Sequence, residues 1–395
     1  MKITNVRLSQ LTGFMEHAGE FWEERLVRPI DIYPEHQTEA ARAHAPEPDG
    51  RYRIVQCFVE IETDEGVTGL GGPFPADWAA IIARDFRPLL LGEDPRATER
   101  VWDKLYRFSV HGRKGVVMQA LSAVDCALWD LRGRWAGAPV YRLLGGPTRT
   151  TLPCYASMLG FSVEPDRVAA RVKEYQAKGF RYQKWFFRHN PREGREGLRR
   201  NVALARAVRE ALGWDQDFML DCWMSFNVRY VIELAEEIEE LRPFWIEEPV
   251  LPDLIASCAE IRRAIRIPVA TGEHEYTRWG IKLLLDAEAC DYVQADTYWA
   301  GGISEMQKII ALCSAYDVPV VPHGHSVPAN CHLIAAWPQP TTPLVEYLVK
   351  WNAINQFFFA EPFVPENGSI ALPDRPGIGV DLDETKIAAR EELYP

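Results

Sequence analysis

Three carboxylates recur at one interval in the middle of this 395-residue chain: Asp221 closing FMLD, Glu247 in FWIE and Glu273 closing IPVATGE, each 26 residues from the next. Each ends a short apolar, strand-like run. Hard oxygen donors with no Cys or His at metal-ligand spacing beside them suit Mg²⁺ better than zinc or copper. The rhythm continues on both sides: Lys184 precedes the series, and Asp296, His323 and Glu346 follow Glu273 at steps of 23, 27 and 23 residues. A lone Asp at a strand end is more often a helix cap. Seven such residues at one period point to a shared site.

Three carboxylates and a dication sum to −1, so a carboxylate ligand needs further cations. Lys184 can supply one, and so can His274, which follows Glu273, although a purely structural histidine fits that position equally well. His323 stands in VVPHGHS and Asp296 in VQAD, ends of neighbouring strands. A carboxylate on the imidazole Nδ1–H fixes the tautomer and raises basicity, which leaves Nε2 as a general base near neutral pH. His325, two residues on, competes for that role; His323 is preferred because it directly follows the strand. The chemistry that needs a dication beside such a dyad is removal of a proton α to a carboxylate. A general base contributes about 10²–10⁴-fold, against the roughly 10⁶-fold or more of enzymes. The larger share must come from stabilising the doubly charged enediolate, a task for Mg²⁺ and Lys184.

Positioning such a row takes parallel strands with returning helices. A βαβ unit needs about 30 residues, and a (β/α)₈-type barrel presents all its strand C-termini on one face. From about residue 152 the chain does alternate in this way: PCYASM, a helix over 165–178, RYQKWFF, a helix over 197–212, DFMLD, a helix over 228–241, then FWIEEP, VATGE, YVQAD, VPVVPHG and PLVEYL. Before it, ITNVRLSQL and IVQCFVEIETDEG alternate like half-buried strands. Between them, residues 13–50 form a long polar stretch with Phe21, Trp22 and Tyr33, expected to be functional. Residues 76–136 turn helical, with a stripe of Ala120, Val124, Ala127, Leu128 and Leu131. GAPVYRLLGGPTR marks a boundary near residue 145, and the Pro/Gly-rich tail 351–395 reads as chain returning to the first domain.

Composition is that of an ordinary globular protein, 47% apolar and 25% charged. A net charge of −12 argues against nucleic acid or an anionic membrane as the main partner. The eight scattered cysteines fit buried free thiols in a reducing compartment. No signal-peptide pattern and no run of the ~18 apolar residues needed to span a bilayer is present. The expectation is a soluble, cytoplasmic protein.

SAVDCALWDLRGRWAGAPVYRLLGG (122–146), LDCWMS (220–225), WIEEP (245–249), TGEH (271–274), QADTYWAGGISE (294–305) and VPHGHS (321–326) together resemble the enolase superfamily, mandelate racemase-like branch. Within it LDCWMS and GEH look most like the L-rhamnonate dehydratase group, which acts on acid sugars. The resemblance implies a (β/α)₇β TIM-like barrel over 146–350, capped by an α+β domain over 1–145 and a returning segment over 351–395. It makes Asp221, Glu247 and Glu273 the Mg²⁺ ligands and His323 the base with Asp296 as partner. Lys184 and Glu346 become further catalytic groups. Capping loops near 14–30 and 69–75 would choose the substrate, with His274, Lys184, Phe21 and Trp22 as candidate contacts. Relatives assemble as dimers or octamers, so a homo-oligomer is expected.

Two departures bear on the reaction. Many relatives carry Lys-x-Lys on the second barrel strand; here it is Lys184-Trp185-Phe186, which removes the opposite-face base and disfavours racemisation. Rhamnonate dehydratases share that loss but carry a capping-loop histidine where Phe21 aligns. The reading is a dehydratase turning an aldonate or aldarate into its 2-keto-3-deoxy acid in carbohydrate catabolism. The alternatives are an epimerase, racemase or cycloisomerase of the same superfamily, or a barrel that binds without turnover.

Overall fold

The alternation in the first 70 residues becomes two long antiparallel strands, β1 (Ile3–Met15) and β2 (Tyr52–Thr63). The computed structural model describes residues 1–37 and 45–395; residues 38–44 of the long polar stretch lie outside the described residues. β3 (Thr68–Phe74) pairs with β2, and β12 (Ala389–Leu393) pairs with β1 from the far end of the chain, in the order β12-β1-β2-β3. The helix Val116–Ala136 packs on β3. It comes so close because Gly69 and Gly71 have no Cβ; one there would run into the carbonyl oxygens of Ala127 and Ala123.

The second sheet is parallel. β4 (Thr151–Ser157), β5 (Tyr182–Phe186), β6 (Asp217–Asp221), β7 (Ile246–Glu247), β8 (Val269–Thr271), β9 (Tyr292–Val293) and β10 (Val345–Leu348) lie in the order β10-β4-β5-β6-β7-β8-β9. Helices including Pro165–Ala177, Gly194–Leu212, Val228–Ile238 and Gly302–Ala315 return between them. The strand predicted in VPVVPHG shrinks to a single bridge between Val293 and Val320. Pro319 and Pro322 remove donors that a longer ladder would need. Backbone bonds still close the ring there, Val321 N–H to Val293 at 2.9 Å and Val320 N–H to Thr341 at 2.8 Å.

Strand side chains alternate between faces, and inside the ring this stacks two layers. Tyr155, Met219, Trp245, Ala270, Val321 and Leu344 form a buried apolar plug, with Tyr182 packed against it. Two residues beyond Tyr182, Met219, Trp245, Val321 and Leu344 come Lys184, Asp221, Glu247, His323 and Glu346. The period-two pleat sets the polar row on an apolar floor. Truncating Trp245 in that floor would cost ~3–5 kcal/mol.

A buried seam joins the two sheets' layers, with the tail packed into it. Asp125 accepts the Ser304 N–H at 2.9 Å, and Trp129 Nε1 donates to Ser304 Oγ at 2.8 Å. Asp130, fully buried, accepts from Leu70 N–H at 2.9 Å, Ile378 N–H at 2.8 Å and Arg134 Nε at 2.7 Å. His332 Nδ1 accepts the Tyr141 N–H at 3.1 Å while Nε2 donates to the Ile378 carbonyl at 2.9 Å. Burial lowers this imidazole to about 4, so it stays neutral. The tail does not run straight to the first sheet: β11 (Ser369–Ala371) first pairs antiparallel with β4 on the barrel. All eight cysteines are buried and free. No helix among the described residues is long and apolar enough to cross a membrane.

Candidate active site

The barrel strand ends and loops of the first domain enclose a cavity of about 580 Å³. Lys184, Asp221, Glu273 and His323 line it, and Glu247, Asp296 and Glu346 lie fully buried outside its lining. The fold therefore gathers the predicted row around one floor.

Lys184 is the hub of the carboxylates. Its Nζ pairs with Glu247, lies 2.8 Å from Glu346 Oε1 and 3.6 Å from Asp221 Oδ2. Glu247 Oε2 also accepts from Trp245 Nε1 at 2.9 Å and Gln294 Nε2 at 2.7 Å, and Asp221 Oδ1 accepts the Trp223 N–H at 2.8 Å. Burial, the largest influence, raises Asp221, Glu247 and Glu273 above ordinary carboxylate values. At Glu346 the opposite wins: burial is outweighed by Lys184 and His323, and the carboxyl is lowered. The backbone is strained beside these groups. Trp223, Met224 and Glu248 hold φ of 39°, 62° and 42°, the left-handed region, at about 1–2 kcal/mol each. Such outliers gather at functional sites.

His323 Nδ1 lies 2.6 Å from Asp296 Oδ2, and its Nε2 lies 3.8 Å from Glu273 Oε2. Asp296 is in turn held by the Tyr298 N–H at 2.6 Å. Burial works against charge on this imidazole, but Glu273, the Asp296 hydrogen bond and Glu346 outweigh it and raise it to about 10. Positive charge placed on Glu273 would cancel the first of those upward influences. His274 is occupied differently from the substrate contact considered in the sequence. Its Nδ1 is 2.9 Å from Glu248 Oε2, and it is absent from the cavity wall.

The donor set fits a hard dication. Asp221, Glu247, Glu248, Glu273, Asp296 and Glu346 outnumber Lys184, His274 and His323, and buried carboxylates in excess of cations call for added positive charge. The ligand atoms of Glu248, Glu273 and His274 form the tightest potential metal group among the described residues, all within 4.8 Å of one another. Glu273 belongs to both that group and the predicted one. Of the predicted trio, Asp221 and Glu273 face the cavity, while Glu247 is bonded to Lys184, Trp245 and Gln294, as Glu248 is to His274.

The roof comes from the first domain. Trp22, Arg25, Leu26 and Arg28 descend from one loop, and Pro73, Phe74 and Pro75 from the end of β3. Phe21 does not share the wall: it is buried behind Trp22, against Tyr52 and His17. The first loop is clasped to the barrel at Glu23, which is only 10% exposed and pairs with Arg167 at 2.7 Å, Arg171 at 3.2 Å and Lys350 at 3.5 Å. Glu24 adds Arg188 at 3.0 Å, and Glu23 N–H reaches Gly160 O at 2.8 Å. Burial lowers Lys350 to about 8 despite Glu23. Side chains not singled out in the sequence make much of the wall, above all Trp223, Trp299 and Trp351. Trp299 touches three imidazoles, with ring centroids 5.4 Å from His274, 4.9 Å from His323 and 5.7 Å from His325. Phe186 is buried at the end of β5, paired with Asp221.

Comparison with known proteins gives this arrangement a family. An L-rhamnonate dehydratase of Saccharopolyspora erythraea is 36% identical over 97% of this chain and 97% of its own. A Caldivirga maquilingensis chain, provisionally given the same name, is 38% identical over 97% of this chain and 94% of its own. Among solved structures, the rhamnonate dehydratase of Gibberella zeae complexed with Mg superposes with a TM-score of 0.84 at 33% identity, over 98% of this chain and 95% of that one. Residues 51–145 match the mandelate racemase/muconate lactonizing enzyme N-terminal domain, and residues 167–386 match the enolase C-terminal domain-like family. The chain belongs to the mandelate racemase/muconate lactonizing enzyme family of the enolase superfamily.

Proposed function

We propose that the protein is a Mg²⁺-dependent hydro-lyase that dehydrates an acid sugar, an aldonate or aldarate of the rhamnonate kind, to its 2-keto-3-deoxy acid. The observation that carries this reading is the His323–Asp296 pair, whose free Nε2 faces the carboxylate cluster, with Phe186 where a second base would stand. The similarity to rhamnonate dehydratases supports it. Residues 1–145 then cap a catalytic barrel of residues 146–350, and residues 351–395 tie the two.

Asp221, Glu247 and Glu273 would hold the ion, which supplies positive charge beside the substrate carboxylate. Lys184 adds a second positive charge from the floor. His323 Nε2 takes the α-proton while Asp296 holds the ring by Nδ1–H. The C–H electron pair moves into the carboxylate, then returns to expel the β-hydroxyl. The proton carried by His323 goes to that oxygen, which leaves as water. The resulting enol gains a proton at C3 and releases its C2 hydroxyl proton to solvent, becoming the 2-keto-3-deoxy acid.

A panel of acid sugars with Mg²⁺, assayed for 2-keto acid, tests the reading; no product from any of them counts against it. His323→Asn should lower turnover by about 10²–10⁴-fold with the fold intact, and Glu247→Gln should weaken Mg²⁺ binding in a titration. Deuterium entering Cα of recovered acid or its epimer, with no water lost, would favour the epimerase or cycloisomerase alternative.

A further inference from the structure

We propose that His325 binds a hydroxyl of the sugar chain beyond the α-carbon and so helps decide which acid sugar is accepted. This rests on the dehydratase reading of the same site.

The turn carrying His325 is held at every carbonyl. Those of His323, Gly324 and His325 accept from Asn330 at 2.7 Å, Asn352 at 3.3 Å and Asn355 at 3.2 Å. The Gly324 N–H donates to Glu346 Oε2 at 2.8 Å. Three asparagines and a glutamate thus fix the backbone that aims the ring. The ring lines the cavity among Trp78, Tyr298 and Trp299, and its buried Nδ1 has no hydrogen-bond partner among the described residues. Buried polar atoms are almost always bonded, and an exception beside a cavity points to an absent partner. His323 and His325 pack on the same indole, so the two imidazoles share one wall.

The chemistry of the ring selects the partner. Burial lowers His325, leaving it neutral with one donor and one acceptor. A neutral imidazole is a poor proton source but a good match for a hydroxyl, which also donates and accepts. The surrounding wall is largely aromatic, so a single polar contact there weighs heavily in discrimination.

The test uses the full-length protein with Mg²⁺ and the acid sugar that the wild type dehydrates best. His325→Leu should reduce kcat/KM about tenfold, mainly through KM, as loss of one neutral hydrogen bond does. His325→Gln, which keeps a donor and an acceptor, should recover most of that. Analogues deoxygenated at one carbon beyond C3 are dehydrated in turn; α-deuterium exchange reads the C3-deoxy acid, which has no leaving group. For one analogue the wild type should fall to the level of His325→Leu, and the substitution should then cost nothing more. A folded His325→Leu with unchanged kcat/KM, or with the same loss on every analogue, overturns the assignment. A wild type that dehydrates no acid sugar sinks the dehydratase reading instead, and this one with it.

Discussion

The first domain meets the barrel in two places, and they are built from different interactions. At the seam, Asp125 and His332 cross between the two and Asp130 ties the first domain to the tail at Ile378, which His332 also holds; all three are buried and bind mostly backbone groups. Over the cavity, Glu23 and Glu24 hold the loop by ion pairs whose arginines reach solvent; Arg167 is 60% exposed. Buried hydrogen bonds are costly to break, whereas ion pairs that reach solvent at one end contribute less and weaken with salt. Seam and roof should therefore differ: the seam is expected to act as a permanent joint, and the roof clasp to weigh on substrate binding more than on stability.

The largest expected effect breaks the joint. Asp130→Ala leaves the buried N–H groups of Leu70 and Ile378 without their acceptor, and should cost about 2–5 kcal/mol in denaturant unfolding. A loss below about 1 kcal/mol would show that the seam carries no such weight. Acid should act on the same joint through His332. Its folded value of about 4 lies below the ordinary 6.5, so between those values the unfolded chain binds the extra proton. The stability it contributes is complete above pH 6.5 and falls as pH drops through 4, by ~3 kcal/mol. His332→Asn should be less stable at neutral pH but lose less on acidification, as followed by circular dichroism.

The roof should respond in kinetics rather than stability. Glu23→Gln removes the shared partner of Arg167, Arg171 and Lys350 and should raise KM several-fold, for ~1 kcal/mol, with unfolding almost unchanged. A matching fall in Tm would make the clasp part of the permanent joint. Smallest of all, added salt should raise the wild-type KM modestly and have less effect on Glu23→Gln, since only the wild type has these pairs to screen.

The chemical row was legible because it is local: one polar side chain two residues beyond an apolar one, repeated at barrel period. Strands β5, β6 and β10 fall within the predicted runs; VPVVPHG departs, where prolines break the ladder. The parts that were not legible depend on distance or on fine alternation. Glu23 and Lys350 are 327 residues apart, and no local pattern pairs them. Glu248 stood unremarked beside Glu247, yet its carboxylate occupies His274 and withdraws that ring from the wall. In the roof loop Trp22 reaches the cavity while its neighbour Phe21 packs into the core against Tyr52.

Phe186, two places past Lys184 on β5, has a consequence for isotope labelling. A benzyl side chain neither takes nor returns hydrogen, so any carbanion that reverts must be re-protonated from the side it was stripped on. Acid recovered from heavy water after partial reaction should therefore be labelled at C2 yet optically unchanged. The C2 epimer among the recovered molecules would mean that a second proton carrier works on the far face.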